Sequence, residues 1–560
     1  MSELLFLPLL SFDFYSKRRI LLYIFTLFFQ IMIFFAIFGF EHYYFFKYSL
    51  KSIFLINLPI ITMINYKNIW YWIVQNKHVL GILFIAACLR FPGFLHGLPT
   101  YPNADESVMV SLALKIFKGQ WNPHFFYYPS LYFYFNTFLF TCTHIIYHSL
   151  HFLGIVKQAS TPYWLFIAVG RGANIIISLF AVWLVYKIGK ISFSKLVGMY
   201  AMLFMGIMPM HNFYSVRVVP NALLVTMSLS GIYFSCKYLK EKCHTDLYIA
   251  AVFSGLAIGT KYLFFAPVSF LIAKYFVDEK DLRKFFNKQL AYSIGIVIIA
   301  FCITTPALFF SFREFLNNIF FNYTHYKTSH PGYESDNTLL FYIHFLFIDG
   351  ITPLIFVLSI IGLVYLTVNR REQVFVFILV PLIWFFFCSL YKVNFVHNIA
   401  IISVVFAVGA GAFLAQIKIK WVQWIILIFM SIIPLWKDIM HIHYVRRPDL
   451  RYVASEWINN NLPSGSSIAR EEYTPYYDDK KFKSTYIGIC GLAYLKPDSI
   501  INAGLDFIVT TGHDRFTKNP EKYSQEIKNY NEHLQRFDII KDFKAESHYH
   551  GGDIKILKVK

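Results

Sequence analysis

Charge is what this 560-residue chain has least of. Only 15% of its residues are Asp, Glu, Lys or Arg, where soluble globular chains carry about 25%. Acidic residues are scarcer than basic ones, 32 against 51. A chain that is 57% hydrophobic, with apolar runs long enough to cross a bilayer, is excluded from the single-domain soluble class. It reads as a multi-spanning membrane protein. In that class a basic excess marks cytoplasmic loops, not a nucleic-acid partner. The seven cysteines show no metal-ligand spacing. Cys88, Cys142, Cys236, Cys302 and Cys388 lie in or beside apolar runs, and Cys490 stands alone in the polar tail, which argues against a disulfide framework. There is no Gly-rich nucleotide loop, no internal repeat and no low-complexity segment. Lys17, Arg18 and Arg19 precede an apolar run with no small-residue cleavage site, the pattern of a retained anchor helix.

Apolar length and Lys/Arg bias together predict an α-helical polytopic membrane protein with about 13 transmembrane helices. Residues 20–40 and 50–64 form a leading pair. Residues 79–95 then cross outward and deliver a polar stretch, Pro99–Glu106, to the outer side. The run 131–155 carries Asn136, His144, His148 and His151 and reads as an interfacial helix that does not cross. With it set aside, the basic loops at 187–195, 237–242, 278–288 and 370–371 all fall inside. The remaining spans are 164–186, 196–213, 221–238, 246–258, 262–276, 289–310, 339–366, 373–390, 396–415 and 421–436. Three regions result: an accessory transmembrane pair over 1–78, a transmembrane core over 79–436 with its first outer loop at 96–163, and an extracytoplasmic α/β domain over 437–560. In the tail, 449–461 and 519–536 read as helices, and 467–470, 507–510 and 554–559 as strands.

The polar residues gather at the outer helix ends. Asn103 with Glu106 has the spacing of a capping box, so Asp105 and Glu106 could be plain first-turn acids. Equally, a carboxylate is the usual proton acceptor for a hydroxyl or amine nucleophile. Spacing alone leaves both readings standing. The stretch 122–130 offers His124, Tyr127 and Tyr128 to a sugar, or simply forms an aromatic belt at the membrane interface. Arg217 either snorkels to headgroups or grips a phosphate. Lys261 and Lys392 sit in outer turns against the positive-inside bias, which favours a functional role for each. The loop 320–337 holds His325, His330, Glu334 and Asp336 at spacings of no standard metal site and reads as a solvated loop. Asn322 opens a formal glycosylation sequon.

An ordered set of these pieces across residues 80–465 resembles the GT-C glycosyltransferases, most of all their protein O-mannosyltransferase and lipid A aminoarabinose transferase branch. The pieces are Arg90–Gly93 leading to Asp105 and Glu106; Asn122–His124 with Tyr128–Leu131; Gly170 and Arg171; Arg217 before Pro220 and Asn221; Gly255, Gly259 and Lys261; and Asp449, Trp457 and Pro463. The resemblance implies an inverting transfer of a sugar from a polyprenyl or dolichyl phosphate to a glycan, lipid or protein acceptor. It implies Asp105 as base with Glu106 beside it, and Arg217 and Lys261 on the donor phosphate, where Lys392 joins them by its outer-turn position alone. His124, Tyr127, Tyr128, Asn221 and His397 fall to substrate binding. It also implies interfacial helices in the first loop and a multi-pass location, such as a bacterial inner membrane with the site facing the periplasm. The chain departs from the family pattern at Asn221, where many relatives carry Asp, and at His397 and Asn398, where bacterial relatives often carry Arg-Tyr. These departures leave a divalent-metal requirement open, with no metal ligands assigned. A flippase or transporter would call for ionisable residues within spans and for repeats. An O-antigen ligase or polymerase would centre on a large late outer loop.

Overall fold

The computed structural model describes residues 66–100, 103–328, 330–545 and 549–559. The expected spans at 20–40 and 50–64 lie outside the described residues. The chain divides into two compact units, Met1–Gly81 and Ile82–Lys560, and the second holds the loop helices, most of the spans and the tail.

By length and composition, five of the described helices can cross a membrane, or seven if each of two bent pairs is one span. The expected number was 13. Part of the difference is local chemistry. The run 196–213 is broken at Pro209, between helices Lys195–Ile207 and Pro209–Ser215 that diverge by 57°. The run 339–366 breaks ahead of Pro353 with a bend of 111°. Proline lacks the N–H that would continue a helix and pushes the preceding residue out of helical conformation; Met208 has ψ 118° and Thr352 φ 84°. Other apolar runs give shorter helices, Val268–Val277 and Lys288–Thr304. The expected span 79–95 is displaced toward the N-terminus: its helix runs Tyr66–Cys88 and stops before Pro92.

The elements that build the site are α1 (Ala104–Phe117), α2 (Leu131–Phe152), α3 (Tyr163–Ser192), α4 (Asn221–Glu241), α5 (His244–Lys261), α6 (Phe312–Thr328), α7 (Arg371–Ser389) and α8 (Lys420–Val445). Helix α2 is not among the candidate spans. Its buried residues, including Phe133, Asn136, Phe140 and Tyr147, lie on one face, and Thr137 donates to the Ala113 carbonyl of α1 at 3.0 Å. Gly255 allows α5 to lie against Lys288–Thr304, since a Cβ there would sit 2.6 Å from that of Ala300. Helix α8 runs nine residues past the expected end of the last span, so the tail begins after Val445 and Asp438 is buried within the bundle.

The tail holds a five-stranded sheet in the order β2-β1-β3-β5-β4, with β1 Ser467–Arg470, β2 Lys483–Tyr486, β3 Phe507–Thr510, β4 Asp538–Phe543 and β5 Ile554–Lys558. Strand β1 pairs in parallel with β2 and β3, while β5 is antiparallel to β3 and β4. Helices α9 (Leu450–Asn461) and α10 (Ser524–Arg536) accompany it. Ile468, Phe507, Val509 and Ile556 meet Leu450 and Ile458 of α9 in one apolar core. Ala469, Ile508 and Leu557 meet Phe516 and Tyr530 in a second. Alternation along the strands thus feeds both faces of the sheet.

Candidate active site

The site begins with the capping box at the start of α1. Asn103 Oδ1 accepts the Asp105 N–H at 3.1 Å, and Glu106 Oε2 accepts the Asn103 N–H at 2.9 Å. Adjacent residues on a helix point about 100° apart, so the two acids separate. Glu106 turns inward. Its Oε1 also accepts from Arg171 Nε at 2.7 Å and from the Val218 N–H at 2.8 Å, and its Oε2 from Arg171 Nη2 at 2.6 Å. Both side chains of this pair are fully buried. Burial alone would lift the Glu106 carboxyl, but the Arg171 charge and hydrogen bond, with the Val218 N–H, outweigh it and hold the group down to about 2. Both Glu106 oxygens are thus engaged by protein donors, and Glu106 is not among the residues that line the cavity described next.

Asp105 turns the other way, into a cavity of about 500 Å³. Its carboxylate is open to the cavity yet ringed by protein. Desolvation raises its pKa, while Arg217 and Lys261 act in the opposite direction. Asp105 is the one carboxylate among the described residues that line the cavity. Arg217 comes from the turn between Ser215 and α4. That turn is fixed by Glu106 on the Val218 N–H and by Asn174 of α3, which donates to the carbonyls of Arg217 and Val219. The guanidinium stacks on Tyr214, 5.7 Å from the ring centre. Lys261 ends α5 just before Tyr262, whose left-handed φ of 53° closes the helix. Its Nζ donates to Asn221 Oδ1 at 2.9 Å and Asn398 Oδ1 at 2.8 Å, and it lies 5.5 Å from the Tyr128 ring centre.

The aromatic stretch after α1 is part of the cavity wall. Asn318 accepts the Phe126 N–H at 3.2 Å, Asn322 donates to the Tyr127 carbonyl at 2.9 Å, and Tyr262 donates to the Phe126 carbonyl at 2.9 Å. These bonds dock residues 122–128 along α6, so Tyr127 and Tyr128 face the cavity. They also engage the side-chain amide that the sequon would modify. His124 faces away, exposed, with Nδ1 2.8 Å from Glu314. Lys392 is likewise outside the cavity. Its side chain is exposed and only its backbone contributes, with its N–H donating to the Tyr326 carbonyl at 3.1 Å. His397 lines the cavity, stacked on Phe395 at 5.4 Å and edge-on to Tyr214 at 5.7 Å.

The expected solvated loop at 320–337 is instead structured. Helix α6 occupies its first part, and Glu334 accepts from Tyr523 Oη at 2.5 Å and Lys522 Nζ at 2.8 Å of the tail. The tail thereby contacts the segment that follows α6. Arg515 lies 4.7 Å above the Tyr473 ring. Burial lifts the Tyr473 phenol, Arg515 opposes the lift, and the Asp105 charge adds a little to it. Among the described residues no three His, Cys, Asp or Glu side chains gather into a group that could hold a metal ion. Asn398, Tyr326 and Trp384 belong to the cavity wall without having been singled out for it. Asn398 signals itself only as the neighbour of His397, and Tyr326 and Trp384 look like any other membrane-protein aromatics.

Comparison with known proteins bears first on the fold. The family profile of dolichyl-phosphate-mannose-protein mannosyltransferase matches residues 167–309, the stretch that carries Arg171, Arg217, Asn221 and Lys261. No curated protein matches the sequence. Among solved structures, ArnT from Cupriavidus metallidurans bound to undecaprenyl phosphate aligns with TM-score 0.54 at 12% identity, over 87% of this chain and 98% of that one. The archaeal oligosaccharyltransferase AglB from Archaeoglobus fulgidus, in complex with an inhibitory peptide and a dolichol-phosphate, aligns with TM-score 0.50 at 13% identity, over 86% of this chain and 74% of that one. At such identities the likeness is one of fold. The chain shares the fold of these two proteins and carries, among the described residues, five helices, or up to seven, long and apolar enough to cross a membrane.

Proposed function

We propose that the protein is an inverting glycosyltransferase that moves a sugar from a polyprenyl phosphate to a glycan, lipid or protein acceptor. The observation that carries this reading is the cavity itself: one carboxylate and two cations, delivered by α1, the turn before α4 and the end of α5, face a single space. The lipid phosphate rests between Arg217 and Lys261. Asp105 takes the acceptor proton as the acceptor oxygen or nitrogen attacks the anomeric carbon. The bond from that carbon to the phosphate oxygen breaks, and the charge left on the lipid phosphate is met by the two cations. The raised pKa of Asp105 suits a base more than that of an ordinary surface carboxylate would. Tyr127, Tyr128 and His397 shape the space for the sugar, and the acceptor enters from the tail side, past Tyr473. The region 79–436 acts as the catalytic domain, the tail as an extracytoplasmic domain, and the leading pair as an accessory unit. The location that fits is a bacterial inner membrane with the cavity facing the periplasm.

The test is incubation of the purified protein with a labelled undecaprenyl-phosphate sugar and membrane acceptors. Wild type should transfer label, and Asp105→Asn should lose at least about 100-fold in rate, the lower range for a general base, while still binding donor. Unchanged turnover in Asp105→Asn would remove it as the base.

A further inference from the structure

The hydrogen bonds that hold Lys261, which also lies over the Tyr128 ring, go to amides alone. Both oxygens that accept from its Nζ belong to asparagines, Asn221 at 2.9 Å and Asn398 at 2.8 Å, and all three side chains are buried. An ammonium has three N–H donors, so one remains for the cavity that all three residues line. The Asn398 amide has little choice of orientation. Its Nδ2 faces the Tyr326 hydroxyl at 3.4 Å, and its backbone carbonyl accepts the Trp384 indole N–H at 2.7 Å. Buried charges are ordinarily paired with an opposite charge. Here two neutral carbonyl dipoles satisfy the hydrogen-bond geometry of a cation without cancelling it. Arg217 is in the same condition: among the described residues it stacks on Tyr214 and forms no ion pair.

We propose that Asn221 and Asn398 are positioning residues that aim the third N–H of Lys261 into the cavity and keep its charge uncancelled for a lipid-borne phosphate. The inference rests on reading the cavity as a lipid-phosphate site. A carboxylate at either position would hold the ammonium equally well in geometry. It would also neutralise one of the two cations and set a negative charge beside the ligand. The amide supplies the first effect without the second, which gives the chain's departure from an acid at residue 221 a physical purpose.

The test uses the full-length protein in detergent, with undecaprenyl phosphate and the uncharged alcohol undecaprenol as two probes. Wild type should prefer the phosphate. Asn398→Asp and Asn221→Asp should each weaken undecaprenyl phosphate binding by about tenfold or more, the scale of a misplaced like charge at a binding site, and leave undecaprenol binding unchanged. A packing defect would weaken both ligands alike. If an Asp variant does not fold, Asn398→Ala serves: losing one orienting bond should lower the phosphate preference by about threefold. A phosphate preference as large as wild type in the folded variants would overturn the inference and leave the site reading intact. No preference in wild type itself would overturn both.

Discussion

The start of α1 and the loop after β1 solve one problem in two ways. Each places a fully buried glutamate one or two residues from a more exposed side chain. Glu106 stands beside Asp105, and Glu471 stands two residues before Tyr473. Glu106 is met by the Arg171 guanidinium. Glu471 is met only by neutral donors: the N–H groups of Leu492, Thr511 and Gly512 and the hydroxyls of Thr510 and Tyr530. A buried carboxylate can thus be stabilised by one cation or by a ring of dipoles. The difference lies in what happens when a partner is removed. Taking away a cation strands a charge, whereas taking away one of five dipoles leaves four.

The sharpest way to break the comparison is to delete the partner. Arg171→Met should cost about 3–5 kcal/mol in thermal or denaturant melts, the range for a buried charge left alone. Tyr530→Phe, which removes one of the five donors to Glu471 and keeps the ring, should cost about 1–3 kcal/mol. Equal losses would show that the two carboxylates are held in the same way. The Glu106 contribution also has a definite pH window. Because its folded pKa lies near 2, below that of an unfolded glutamate, the stability it brings is present above the unfolded value. It is lost as pH falls toward 2.

A smaller effect separates Asp105 from its neighbour. Arg217 pulls the Asp105 pKa down against desolvation, so Arg217→Met should move the acid limb of the rate–pH profile to higher pH. An acid limb that stays in place or moves down would detach Arg217 from Asp105. The smallest effect belongs to a residue outside the cavity. Lys392→Ala should leave donor affinity within about twofold and stability within about 0.5 kcal/mol, as for ordinary exposed side chains. A larger loss of donor binding would return Lys392 to the site.

How much of this could be read in the chain follows from particular residues. Asn103 and Glu106 announce the cap by their spacing, and Arg217 and Lys261 announce themselves as cations at helix ends. Spacing cannot say which of two adjacent acids faces the cavity, because that depends on Arg171, 65 positions further on. Asn398 stands out only beside His397 as a departure from the family pattern, and its bond to Lys261, 137 positions away, leaves no local signal. Counting apolar runs joined helices that Pro209 and Pro353 separate, because apolarity records burial and not chain direction. In the tail, β1, β3 and β5 are apolar enough to stand out. Strand β2 is exposed along its whole length and β4 along most of its own, so neither leaves a burial pattern to detect.

The four bonds to Glu106 have a consequence for assembly. One side chain is shared by the loop that brings Asp105, the helix that brings Arg171 and the turn that brings Arg217. A folding intermediate in which the first loop is undocked therefore loses one of the three bonds that fix the Arg217 turn, with the two from Asn174 remaining. The placement of Asp105 and the turn of Arg217 are thus coupled through one buried carboxylate that neither of them owns.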